Sequence, residues 1–264
     1  MKSAMLFNLI AAGVAAGFLA GMFGIGGGAI VIPVLMYLYQ SGGMDTNEAI
    51  RLAFGTSLAT MAFSGLASFL SHCERGNVDF VWLKKLFIPA GLGATAGALV
   101  ATRIPGVWLA LGLALMLAYF GFKLLIQREH DGTVAVAFVR FRVVAGVLSG
   151  VAYSLAGMGG ASVITFFLTH VGLPIRRAIG TATGVILPIS LGAMIGFGVT
   201  AGAPHDWRWG YIDLHALLVM SVCAVVASRF GVWAAAALPT MVLRRGFGLF
   251  MMGLAGKTIY TAVL

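Results

Sequence analysis

Five stretches of the chain contain no Asp, Glu, Lys or Arg: Ser3–Met44, Leu52–Cys73, Ile104–Phe122, Val143–Ile175 and Ala178–Pro204. A helix that crosses the hydrocarbon core of a bilayer needs about 20 such residues. Runs this long leave too little charge to clothe a soluble surface. Only 9% of the 264 residues are charged and 60% are hydrophobic, against about 25% charged in soluble domains. The chain is therefore read as an all-α polytopic membrane protein. A disordered chain, a disulfide-stapled secreted domain and a soluble α/β enzyme are excluded. The 37 glycines suit helices that pack closely in lipid, where small residues let backbones approach.

The net charge is +9, yet the basic residues stand in ones and twos at the ends of apolar segments. That pattern fits the positive-inside rule, not a surface that tracks phosphates, so no nucleic-acid partner is expected. Cys73 and Cys223 lack metal-ligand spacing and read as ordinary membrane-embedded residues.

The chain repeats itself. Gly13-Val14, Gly17, Gly24 and Gly26-Gly27 recur 133 residues later as Gly146-Val147, Gly150, Gly157 and Gly159-Gly160. Ile50-Arg51, Ala53 and Gly55-Thr56 recur 125 residues later as Ile175-Arg176, Ala178 and Gly180-Thr181. Asp79, Gly97, Pro105, Gly112 and Lys123 recur 134 residues later as Asp213, Gly231, Pro239, Gly246 and Lys257. Glycines match easily by chance, but Asp, Arg, Lys and Pro at constant offsets do not, so the pattern is a duplication. Lys2 followed by an apolar run resembles a signal peptide. Its counterpart at 138–156 lies in mid-chain, so the first segment is expected to stay in the mature protein.

Each half reads as about five helical segments. They are expected near 4–23, 29–41, 50–72, 80–102 and 105–126, then near 138–156, 161–171, 177–200, 210–237 and 240–263. This gives repeats 1–127 and 138–264 joined by a cytoplasmic loop at 128–137, with 8–10 membrane helices in all. The second segment of each half is short, some 12 residues or ~18 Å against a ~30 Å core. Glycines precede it, and they tolerate an unwound, reversing backbone. Segments one and two are thus either one broken crossing or a hairpin. If they form one broken crossing, Lys and Arg divide 10 against 7 between the two faces. If they form a hairpin, only Lys2, Arg51, Arg103, Arg208 and Lys257 stay on the outer face and the other twelve lie inside. The stronger bias selects the hairpin. Each half then crosses an odd number of times, so the repeats are inverted and both termini lie outside. Inverted repeats with broken helices are a secondary-transporter architecture.

Gly24-Ile25-Gly26-Gly27-Gly28, the apolar segment with Pro33, and Arg51-Leu52-Ala53-Phe54-Gly55-Thr56-Ser57 together resemble the sulfite exporter (TauE/SafE) family. The second copy, Gly157-Met158-Gly159-Gly160-Ala161 with Ala178-Ile179-Gly180-Thr181, is similar, and the likeness spans essentially the whole chain. It implies passage of sulfite, sulfonates or other sulfur-containing or organic anions across a prokaryotic inner membrane. The second copy departs from the first, with Ala161 in place of the third glycine and Phe166 opposite Pro33.

The residues themselves suggest a site. Gly26, Gly27 and Gly28 would free backbone N–H groups at the start of one short helix, and Gly159 and Gly160 at the start of the other. Helix N-termini carry partial positive charge and bind anions. The competing reading is glycine for close packing alone. Thr56, Ser57, Thr181 and Thr183 can add hydroxyl donors without placing a charge in lipid, or can bond their own helix carbonyls. Arg176 and Arg177 read as cytoplasmic anchors, while Arg51 is less expected on an outer face. Asp79 and Asp213 read as helix N-caps or first-turn acids. No segment carries a carboxylate at its middle, which argues against a carboxylate proton relay or a dehydrated-cation site. His72, His170, His205 and His215 share no helical spacing, so neither a metal nor a cofactor is expected.

The expected function is secondary transport of a small anion, sulfite or an organosulfonate, at a midplane site between the repeats. An anion channel of the same fold and a carrier for a short carboxylate are the alternatives. A hydrolase would need a nucleophile facing a base. Ser64 and His72 share a helix face but stand two turns apart. The expected partners are the bilayer and the anion, and self-association into a homo-oligomer stays open.

Overall fold

The computed structural model describes residues 2–23, 28–126, 141–158, 160–200, 207–237 and 240–263. The first half holds α1 (Lys2–Phe23), α2 (Gly28–Ser41), α3 (Thr46–Glu74), α4 (Phe80–Ala101) and α5 (Gly106–Ile126). The second holds α6 (Arg142–Ala156), α7 (Gly160–His170), α8 (Ile175–Val199), α9 (Leu214–Ala237) and α10 (Thr240–Val263). Five of the described segments are long and apolar enough to cross a membrane: Thr46–Glu74, Phe80–Ala101, Gly106–Lys123, Arg176–Val199 and Leu214–Gly231. Large apolar side chains such as Ile88, Leu92, Leu115, Val222 and Trp233 face outward, as a lipid solvent requires. The fold is the all-α polytopic one expected from the uncharged runs.

Local chemistry sets the helix ends. The Asp45 carboxylate accepts from Asn47 N and Glu48 N, so α3 starts four residues before the expected 50. Asp79 accepts from Val81 N and Trp82 N, and Asp213 from His215 N and Ala216 N. Both repeat-related aspartates are thus N-caps, one of the two roles expected of them. Gly157 ends α6 in the left-handed region at φ 68°, where a Cβ is penalised. One expected boundary is wrong. Residues 210–213 are not the start of a helix. Arg208–Trp209 (β1) and Ile212–Asp213 (β2) form a small antiparallel hairpin turned by Gly210 at φ 57°, and α9 begins only after Asp213 supplies its cap. The expected helical residues 138–140 lie outside the described residues.

The packing obeys an exchange of halves. α1 lies against α9, and α4 lies against α6 in the matching way. A Cβ on Gly17 would collide with the backbone of Ala224, and one on Gly150 with the carbonyl of Ala90. For Gly13, Gly17, Gly146 and Gly150, close helix packing is therefore what the glycines serve. In the α1–α9 seam, Gly13 faces Met220 and Gly17 faces Ala224, so these two helices run in the same sense. α2 returns, because its Tyr39 hydroxyl near the C-terminal end reaches Asp213 at the start of α9. Segments one and two are therefore a hairpin and not a single broken crossing. α5 faces α10, with Gly121 near Met251 and Met252 and Gly248 near Leu125. α3 faces α8, with Gly65 near Ile186 and Gly184 near Phe69. In both pairs the numbering rises on one helix as it falls on the other, so the repeat-related helices run antiparallel.

Candidate functional site: two hairpin turns and a hydroxyl-lined interior

The two hairpins meet halfway along α3. A Cβ on Gly28 would collide with Met61 and lie 2.5 Å from the carbonyl oxygen of Gly157. The start of α2 thus abuts the turn between α6 and α7. Ile32 of α2 and Phe54 of α3 lie over Gly157 on the other side. Tyr153 of α6 points into the same place. Its hydroxyl bonds the Met61 sulfur and lies 3.4 Å from Ser190 Oγ of α8. Gly160, at the start of α7, packs against Tyr153 and the Ser149 carbonyl.

Among the described residues, the buried polar side chains on the helices other than the tyrosines are all Ser or Thr. Most satisfy themselves locally: Thr60 donates to Thr56 O, Ser64 to Met61 O and Thr183 to Gly180 O. Ser57 is different. It is fully buried and its Oγ has no partner. It lies one turn before Met61 on the same face of α3, so it sits beside the meeting point of the hairpins. A buried hydroxyl without a partner costs about 1–3 kcal/mol, an outlay that a bound acceptor would remove. The second half carries Ala182 at the equivalent place.

Thr56 and Thr181 do something the sequence did not disclose. Thr56 Oγ1 accepts from Asp213 N at 2.9 Å, and Thr181 Oγ1 accepts from Asp79 N at 2.9 Å. Each threonine thus satisfies the backbone of the other half's N-cap aspartate. The preceding glycines complete the lock. A Cβ on Gly55 would collide with the Tyr211 carbonyl, and one on Gly180 with that of Asn77. The two locks lie at opposite ends of the bundle. Thr56 belongs to the N-terminal half of α3, whereas Thr181 stands beside Asn77–Asp79 beyond its C-terminus, roughly 20 Å or more along the axis. The structure therefore groups Thr56 with Ser57 and Thr181 with Thr183, but does not bring the two groups together. Of the expected glycines, Gly28 and Gly160 are buried at the hairpin turns, while Gly26, Gly27 and Gly159 lie outside the described residues.

Arg51 has a structural task. Its guanidinium donates to Ile104 O at 2.9 Å and to the Tyr211 hydroxyl at 3.3 Å, which ties α3 to the α4–α5 turn and to the β-hairpin. Arg176 and Arg177 are exposed, as anchors would be. Met61, Tyr153 and Ser190 were missed in the sequence reading. The available signal was Tyr153, a lone phenol in an uncharged segment four residues before a glycine turn. A buried Tyr needs a partner for its hydroxyl.

Comparison with known proteins agrees with this architecture. The family described as Sulfite exporter TauE/SafE matches residues 9–258. A probable membrane transporter protein of Haemophilus influenzae is 32% identical over 92% of this chain and 94% of its own length. Probable membrane transporter proteins of Methanocaldococcus jannaschii and Bacillus subtilis are 27% and 29% identical, over 85% and 81% of this chain and 84% and 85% of their own. No solved structure matches the chain. The match over nearly the full length, on a bundle of paired, glycine-seamed helices, shows that this chain is a membrane protein of the sulfite exporter TauE/SafE family.

Proposed function

We propose that the protein carries a small oxyanion, sulfite or an organosulfonate, across the prokaryotic inner membrane, with the anion held between the two hairpin turns. The observation that carries this reading is the chemistry of the buried interior: hydroxyl donors with no fixed charge, one of them, Ser57, unpartnered beside the turns. An anion shedding water needs donors, and a buried Lys or Arg would hold it too tightly to release. The N-termini of α2 at Gly28 and of α7 at Gly160 supply backbone N–H groups and partial positive charge. Thr56 stands next to Ser57 but is engaged with Asp213 N, and Thr181, engaged with Asp79 N, lies toward the other end of the bundle, so neither is assigned to the anion. Thr183 already donates to its own helix, which leaves Ser57 as the hydroxyl that the proposed site uses. The antiparallel run of α3 against α8 and of α5 against α10 supports inversion of the repeats, and the distribution of Lys and Arg favours both termini outside.

Binding can be tested on the purified protein in detergent. Sulfite or isethionate should raise the unfolding temperature relative to chloride at equal ionic strength, because a ligand at 100 times its Kd stabilises by about 2.7 kcal/mol. No shift with any sulfur oxyanion or sulfonate would overturn the proposal.

A further inference from the structure

The exchange of halves is unequal where α4 meets α8 and α3 meets α9. α4 and α8 pack tightly through their C-terminal halves: a Cβ on Gly192 would collide with the Gly91 carbonyl and lie 2.9 Å from Thr95 Oγ1, and one on Gly196 would lie 3.0 Å from Thr95 O. The duplication maps Gly192 and Gly196 onto Ala67 and Ser71 of α3, and Gly91 and Thr95 onto Val225 and Arg229 of α9. Those four counterparts do not form a seam. They line a cleft of about 570 Å³ whose rim carries Glu74 and Arg75. α3 and α9 are joined at their other ends, where Thr56 binds Asp213 N, and open between their C-terminal halves.

We propose that this α3–α9 cleft is the open access route of the transport site, that the α4–α8 seam is its closed counterpart, and that transport exchanges the two. The inference rests on the transport reading above and adds which surfaces gate it. In the exchanged state Ala67 meets Val225 and Ser71 meets Arg229, in the register that α8 now has on α4, while the Gly91–Gly192 seam parts. The two gates differ in charge. Arg229 and Arg75 outweigh Glu74 in the open cleft, so an arriving anion is drawn to it. The equivalent of Arg229 in the closed seam is the neutral Thr95. The cleft therefore takes a small anion from the face bearing Arg75 and Arg229.

The test uses the full chain in membrane vesicles, with Cys73→Ala and Cys223→Ala removing the native thiols. All new cysteines are small replacements. Ser71→Cys should react with a membrane-impermeant maleimide, and Thr95→Cys should not. The pair Ala67→Cys with Val225→Cys should form a disulfide on mild oxidation only as the cleft closes, since a disulfide needs Cα atoms within about 7 Å. With that disulfide in place, Thr95→Cys should become reactive from the opposite face, and dithiothreitol should reverse the change. An unreactive Ser71→Cys would mean a cleft filled by lipid and would overturn the proposal. So would a Thr95→Cys that stays shielded when the disulfide forms, or a 67–225 pair that never cross-links. No substrate enters these measurements. Reciprocal accessibility without flux of sulfur anions would refute the assigned substrate and leave the gates standing.

Discussion

The neighbouring hydroxyls of Thr56 and Ser57 should separate structure from binding. Ser57→Ala removes a buried hydroxyl that bonds nothing in the protein, so it leaves no group unsatisfied. Folding should be unchanged or slightly improved. If Ser57 Oγ donates to the anion, its loss removes a charge-assisted bond worth about 1.5–3 kcal/mol. At 1.4 kcal/mol per decade, apparent affinity falls roughly 10- to 150-fold. Thr56→Val keeps the side-chain shape but leaves Asp213 N without its 2.9 Å acceptor, at a cost of about 1–3 kcal/mol. Its principal effect is then a lower unfolding temperature. Thr181→Val should do the same through Asp79 N, and the double variant should lose the sum, because the sites are too far apart to couple. The assay is paired: apparent KM for sulfite in vesicles, and the unfolding temperature of the same preparations. A Ser57→Ala protein with unchanged KM, beside a Thr56→Val protein with raised KM and unchanged stability, would refute this division of roles.

Other substitutions and conditions follow from the same geometry. Gly180→Ala drives a methyl into the backbone carbonyl of Asn77. Overpacking of this kind costs about 1–3 kcal/mol, so the yield of folded protein and its unfolding temperature should both fall, while Gly253→Ala, which meets nothing within 4 Å, should change neither. A reporter that is active only in the periplasm, fused after Leu264, should be active. Cytoplasmic activity there would reverse the orientation and the positive-inside assignment with it. Sulfite entry into vesicles should need no sodium gradient, because the segments lack a mid-membrane carboxylate and a proton can travel on sulfite itself. A strict sodium requirement would contradict this.

What the sequence disclosed was what depends on composition and spacing. Uncharged runs mark helices, Asp79 and Asp213 mark helix starts, and the distribution of Lys and Arg selected the hairpin that the α1–α9 seam and the Tyr39–Asp213 bond display. The offsets of 125 and 134 residues revealed the two halves. What the offsets could not reveal was contact between the halves. Thr56 and Thr181 read alike as donors for a central ligand, yet each accepts from a residue more than 100 positions away in the other repeat. Tyr153, Met61 and Ser190 come from three helices and share no spacing, so only the folded chain brings them together. The start of α9 was misplaced for a similar reason. The hairpin at 208–213 is held by non-local bonds such as Tyr211 N to Phe197 O, which local propensity does not encode.

The proposed passage of a small sulfur oxyanion through this bundle by a saturable carrier can be measured in a purified system. The direct measurement is uptake of labelled sulfite by liposomes containing only the purified protein, against a panel of thiosulfate, organosulfonates, sulfate and short carboxylates. The expected result is flux of sulfite or an organosulfonate that saturates, accelerates when the same anion is loaded on the far side, and is inhibited by its congeners more than by carboxylates. Flux that rises linearly with concentration and is indifferent to anion on the far side would mark a channel. Saturable flux of carboxylates alone, or no flux of any anion in the panel, would contradict the claim outright.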